Sequence, residues 1–329
     1  MIGMGYRTIK TAVGAGLAIW IADLFNLEFA TFAAIIVIMC IEQTKKKTLI
    51  TMKEKFFASL LSLILGAVFF EVFGYYPIVF SFFILLFIPI LMLIRIQAGF
   101  VTSMVVVLHI YIVKDASLDI FLNELYIIII GMGIALLVNS FMPNLQRDIE
   151  THKKKIEHKF GVILYEFSAY LRDSKRDWDG KEIIEVEEII NQSKGIAIQD
   201  VENHLLRNLN NDYYYLEMRK DQLELIKHMV KIVAIVSLSE QDVKQKEMFA
   251  AFLAYLSQNV HSGNTTSISL NRLEELKATV RETELPKTRE EFEIRANLFY
   301  LIFEMENYLN IKKKLWKKVN RKGGKRSRS

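Results

Sequence analysis

The sequence predicts an all-α protein: a six-helix transmembrane bundle followed by a cytosolic antiparallel helical bundle. Three observations carry this. The 329 residues are 52% hydrophobic with mean hydropathy +0.22, yet charge is unevenly spread. Residues 1–143 hold 9 Lys/Arg and 8 Asp/Glu, against 33 and 29 in residues 144–329. The first part is a series of apolar runs approaching the ~20 residues that cross a bilayer as a helix. After Met142-Pro143-Asn144 the pattern changes to apolar residues every three or four positions, and no alternating strand pattern appears.

The first predicted span, about 11–27, carries Gly14, Ala18 and Ala22 at four-residue intervals, a small face suited to close helix contact within or between subunits. Arg7 and Lys10 precede it as in a signal peptide, but Asp23 and the further spans favour an uncleaved helix. Span two, 29–43, has 13 uncharged residues from Phe29 to Ile41. It must run on through Glu42 and Gln43 or stop short of the far surface. Spans three to six fall at about 56–73, 77–94, 96–113 and 120–142. Pro89 is expected to kink the fourth. Gly131 and Gly133 lie in the middle of the sixth.

Orientation follows from Lys45-Lys46-Lys47. Each lysine would cost about 2.5–3.5 kcal/mol at the bilayer centre, so this segment stays on one side, by the positive-inside rule the cytoplasm. Arg7, Lys10, Lys53, Lys55, Arg95, Arg147 and Lys153–Lys155 then share that side, and Lys114 alone opposes them. Both termini are expected in the cytoplasm of a multi-pass cell-membrane protein.

Residues 144–311 are read as the cytosolic domain, with a net charge of −6. Ile149, Ile156, Phe160, Ile163, Leu164, Phe167 and Leu171 trace its first amphipathic helix. Further periodic segments fall at 181–192, 196–237, 240–261, 270–281 and 288–319, with Asn210-Asn211 as a possible break. Turn signals stand at Asp179-Gly180, Ser262-Gly263-Asn264 and Leu285-Pro286. Residues 312–329 form a basic tail with ten Lys/Arg and no acid, expected to be disordered at its end. Lys312–Arg328 could contact anionic lipid at about 1 kcal/mol per charge near the surface. No aromatic stacking platform accompanies the charge, so nucleic acid is not an expected partner.

Gly5-Tyr6-Arg7-Thr8-Ile9-Lys10-Thr11-Ala12, the Gly/Ala-rich first span, Gln43-Thr44 followed by lysines, and the Met-Pro-Asn junction resemble the bacterial aromatic acid exporter family. The likeness covers essentially the whole chain except the last 18 residues. It implies an integral membrane protein of the fusaric-acid-resistance type, similar in plan to plant malate channels that work as dimers. Organic anions are the implied substrates.

Candidate pathway residues are the polar groups within or beside spans, where they are costly and tend to be functional. Glu42 either carries a coupling proton or sits at the interface paired with Lys45 or Lys46. Gln43 and Thr44 could hydrogen-bond a carboxylate, a role helped by the resemblance. Arg95 and Gln97, at the corner of spans four and five, could attract an organic anion or simply anchor the helix. Lys10 has the same two readings, the family pattern raising the functional one. His109 is either a proton relay or an interfacial histidine bonded to backbone. Asn139 reads as helix–helix glue.

Enzyme signatures are absent from the sequence. Gly14-Ala-Gly16 and Gly131-Met-Gly133 lack a third glycine and a preceding strand, and there is no Gly-Lys-Ser/Thr phosphate loop. The six histidines are scattered, and the single Cys40 lies in an apolar run, so no metal or other cofactor is expected. A proton-coupled exporter of aromatic or other organic anions, working as a homodimer, is the leading expectation. A membrane-anchored interaction or sensory protein, with the cytosolic domain as its working module, is the rival.

Overall fold

The computed structural model describes residues 2–142, 144–204, 211–239, 244–261 and 266–324, with side chains over the 5–314 part of that range. Among the described residues there are twelve α-helices, one turn of 3-10 helix and no strand. The fold is all-α. The chain divides into two compact units, one comprising residues 1–143 with a short segment from Val201, the other the remaining chain from Asn144.

The first unit contains α1 (Ile2–Leu24), α2 (Thr31–Cys40), α3 (Lys45–Phe73), α4 (Pro77–Leu93), a 3-10 turn at Gln97–Gly99, α5 (Phe100–Val113) and α6 (Leu118–Ser140). Among the described residues, α3 and α6 alone are both long and apolar enough to cross a bilayer by length and composition. Thr31–Cys40, Pro77–Leu93 and Gln97–Val113 are shorter apolar helices. Two sequence expectations change here. The three lysines occupy the first turn of α3 rather than a loop, because Thr44 N-caps that helix by accepting from the Lys47 amide at 3.3 Å. Helix α2 stops at Cys40 instead of running through Glu42 and Gln43, as Ile41 turns extended. Helix α4 runs through Pro89.

The helices of this unit approach closely because small residues stand where they meet. Ala18 and Ala22 are buried, and a Cβ on Gly14 would sit 3.0 Å from Val37 of α2. The small face of α1 is thus used inside the subunit. On α6, a Cβ on Gly131 would lie 2.8 Å from the Ile36 Cβ and 2.9 Å from the Ala33 carbonyl oxygen, whereas Gly133 faces open space.

The second unit contains α7 (Gln146–Arg172), most of α8 (Lys181–Asn203), α9 (Asn211–Ser237), α10 (Lys244–Gln258), α11 (Thr266–Arg281) and α12 (Arg289–Gly324). All seven apolar residues that trace α7 in the sequence are buried in one core with residues from every other helix of the unit. Segments 181–192 and the start of 196–237 merge into the single helix α8, which ends at Asn203. The basic tail is not separate: α12 continues helically to Gly324. Lys312 turns inward, donating from Nζ to the His261 carbonyl at 2.8 Å. Asn210, Ser262-Gly263-Asn264 and residues 325–329 lie outside the described residues.

Candidate functional site: two polar clusters inside the apolar unit

One cluster gathers where α2 ends. A helix C-terminus leaves carbonyls unsatisfied and carries partial negative charge. Here cations meet them: Lys55, itself buried, donates to the Met39 carbonyl, and Arg7 donates to that of Ile41 at 3.2 Å. Asn139 on α6 donates to the Thr48 hydroxyl, which in turn donates to the Thr44 carbonyl at 3.0 Å. The Asn139 side-chain oxygen is buried with no hydrogen-bond partner among the described residues.

Lys10 is treated differently from the other cations. The residue is buried, its Nζ donating to the Met142 sulfur at 3.4 Å and lying 4.6 Å from the centre of the Tyr6 ring. A thioether is a weak acceptor and an aromatic face a modest one. Among the described residues Lys10 has no carboxylate partner.

The second cluster lies at the opposite end of the same helices. His109 on α5 and Glu124 on α6 are fully buried, with Nδ1 and a carboxylate oxygen 2.8 Å apart. Asn123 donates to the other carboxylate oxygen at 3.3 Å. It also exchanges two hydrogen bonds with the Glu28 backbone, 2.9 and 3.0 Å, tying the α1–α2 turn to α6. Phe29 stacks on the imidazole at 4.4 Å between centroids and 14°, and Phe32 meets it edge-on at 3.8 Å. The imidazole Nε2 is buried without a hydrogen-bond partner among the described residues.

The structure therefore sorts the sequence candidates. Lys10, Thr44 and Asn139 fall at the α2–α3 break, but Thr44 is occupied as a helix cap. Glu42 is half-buried beside this cluster and Gln43 is exposed. Arg95, in the left-handed region at φ 59°, and Gln97 are exposed outside it. His109 is not bonded to backbone, since Glu124 occupies its Nδ1. Glu124 escaped the sequence reading although its signal was present, a carboxylate in the second turn of an apolar helix. Lys55 escaped as well, being counted only as one of many positive charges.

An all-helical apolar unit that keeps an ammonium and a His–Glu pair out of water is the build of a membrane transporter-like protein. The chain belongs to the aromatic acid exporter family. Residues 2–142 match aromatic acid exporter family member 1, and residues 146–313 match the aromatic acid exporter C-terminal domain. Over 312 residues, 95% of this chain and 96% of the relative, it is 43% identical to the uncharacterized protein YqjA of Bacillus subtilis (strain 168). A candidate membrane protein of Clostridium difficile 630, solved by crystallography, is similar over 52% of this chain and 98% of its own, with 20% identity and a TM-score of 0.46.

Proposed function

We propose that the protein exports aromatic or other organic anions across the cell membrane. The observation that carries this is Lys10: a buried ammonium, without a carboxylate partner among the described residues, at the broken end of a short helix. Charges left in an apolar bundle mark substrate paths. A carboxylate would replace the thioether contact with a charge-assisted hydrogen bond, and Asn139 offers a second polar group nearby. Glu42 and Gln43 flank the entrance from the cytoplasmic side, and Arg95 and Gln97 serve as attracting groups further out.

Within this proposal the first unit crosses the membrane six times, α1 to α6, with both termini cytoplasmic and Lys114 outside. Residues 144–311 form the cytosolic domain. Assembly as a homodimer must use a face other than Gly14/Ala18/Ala22, which is spent internally. The apolar groove of about 260 Å³ between α3 and α4, lined by Phe69, Phe73, Leu86 and Ile90 among others, is such a face.

Proteoliposomes loaded with radiolabelled benzoate or with benzylamine test the reading. Saturable release of benzoate and background release of benzylamine are expected. Equal, unsaturable release of both would reject it.

A further inference from the structure

We propose that His109 and Glu124 together form a single-proton carrier, the proton-binding site of the apolar unit. The inference deepens the exporter reading and rests on it only for what the proton drives.

Four observations converge. First, two titratable groups share one 2.8 Å contact in a dry site, so their protons belong to the pair. Second, the pair has two states one proton apart. In the first, the imidazole donates from Nδ1 to a carboxylate, and the pair carries one negative charge. Adding one proton, with nothing displaced, neutralises it: the carboxylic acid donates to Nδ1 while Nε2 carries the hydrogen, or imidazolium faces carboxylate. In either state a hydrogen bond spans the 2.8 Å contact, and the Asn123 amide donates to the carboxyl group. Neither state is left without support.

Third, Nε2 is a buried nitrogen with no partner among the described residues. A buried nitrogen without a partner is costly to the fold, and here it is the point at which an incoming proton arrives. Fourth, the residue stacked on this imidazole is held under backbone strain. Phe29, stacked on the ring, adopts φ 59°, a region that bulky side chains rarely enter and that clusters at functional sites. Asn26 in the same turn has φ 51°. The groups packed on the pair are Phe29 and Phe32 from the α2 side and Asn123 from α6. Among the described residues no further charged side chain bonds to either member. Glu28 contributes backbone only, its side chain being exposed.

A counterpart with a solvent-exposed ring exists in the same chain. His228 and Glu304 lie 3.7 Å apart, the histidine 59% exposed and the carboxylate buried, so water can satisfy the ring whatever its charge. It serves as the internal control.

The test is infrared difference spectroscopy on the full chain in nanodiscs, stepped between about pH 5 and about pH 9. Acidification should add the carbonyl stretch of a protonated carboxyl group or the ring modes of imidazolium. This signal should vanish in Glu124→Gln, shift in His109→Gln and persist in His228→Gln. Spectra of Glu124→Gln and His109→Gln both identical to wild type would overturn the proposal. If Glu124→Gln does not fold, His109→Gln alone decides by the same criterion.

Benzoate-loaded proteoliposomes with and without an imposed pH gradient separate this from the exporter reading. Wild type should accelerate several-fold with the gradient, and Glu124→Gln should lose that acceleration. A proton signal without benzoate flux would reject the exporter and keep the carrier. Flux with the same gradient dependence in both proteins would reject the carrier and keep the exporter.

Discussion

Arg219 of the second unit and Lys10 of the first are both cations taken out of water by packed helices, and the two units treat them oppositely. Arg219 is 1% exposed and fully engaged. Its guanidinium donates to the Tyr215 hydroxyl at 3.0 Å, the Gln222 side-chain oxygen at 3.0 Å, the Val260 carbonyl at 2.7 Å and Glu157 at 3.4 Å, between the rings of Phe160 and Tyr215. The neighbours hold it firmly charged, and burial pushes the Tyr215 and Tyr308 hydroxyls up. Lys10 has a thioether and a ring face. A satisfied buried charge ties helices together, whereas an unsatisfied one in an apolar bundle awaits a ligand. A related contrast separates the imidazole of His109, fully buried against Glu124, from that of His228, exposed beside a buried Glu304.

The largest expected effect comes from breaking the satisfied network. Arg219→Met leaves the Gln222 oxygen and the Val260 carbonyl without their donor, and Glu157 with the Tyr215 hydroxyl alone and no cation. Unfolding of the full chain in detergent should show a loss of about 3–5 kcal/mol. Glu124→Gln keeps shape and an acceptor for His109, so it should cost under about 1 kcal/mol. Equal losses for the two would erase the distinction between structural and functional charge.

Packing gives the next effect. Gly131→Ala forces a methyl against Ile36 and the Ala33 carbonyl, and about 1–3 kcal/mol should be lost. Gly133→Ala, two residues away in open space, should be neutral or slightly stabilising, alanine being the better helix former. Thermal melts of the two variants side by side check this. A larger loss at Gly133 would mean that α6 is packed in another register.

How much of this was legible beforehand differs between the units for a physical reason. In the second unit the amphipathic period reports burial directly, so the α7 core could be read residue by residue. Between α8 and α9 it could not, since the polar stretch before Asn203 continues the helical period. In the first unit nearly every residue is apolar, so periodicity says little about which face is inside, and the polar exceptions carry the information. Lys10 and Asn139 were found that way. Glu42 drew attention because it closes a short apolar run, yet length alone could not show that α2 ends at Cys40. Glu124 could be noticed in sequence, but its partnership with His109 depends on two helices meeting in space.

A smaller, pH-dependent effect than those of Arg219 and Gly131 concerns Lys312. Burial and the nearby Arg219 push its ammonium down to about 8 from an ordinary 10.5. Between those values the unfolded chain holds the proton that the folded chain has released, so stability rises with pH through that window. Below about pH 8 the penalty for charging the buried amine is fully present. Lys312→Met should therefore gain on the order of 1 kcal/mol at neutral pH once solvent screening is allowed for. The gain should fade towards pH 10.5. A loss of stability at neutral pH would show that the bond to the His261 carbonyl outweighs desolvation.

Lys10→Met tests the central claim, that the first unit keeps its unpartnered cation for an anionic substrate. Wild type and variant are reconstituted at equal density, and benzoate counterflow is followed over a range of concentrations. Because the group removed is a charged hydrogen-bond donor, apparent affinity should fall about tenfold or more, with helix content and melting unchanged. Equal saturable counterflow in the two proteins would contradict a substrate role for Lys10, and background flux in both would leave the first unit as an anchor for the cytosolic bundle.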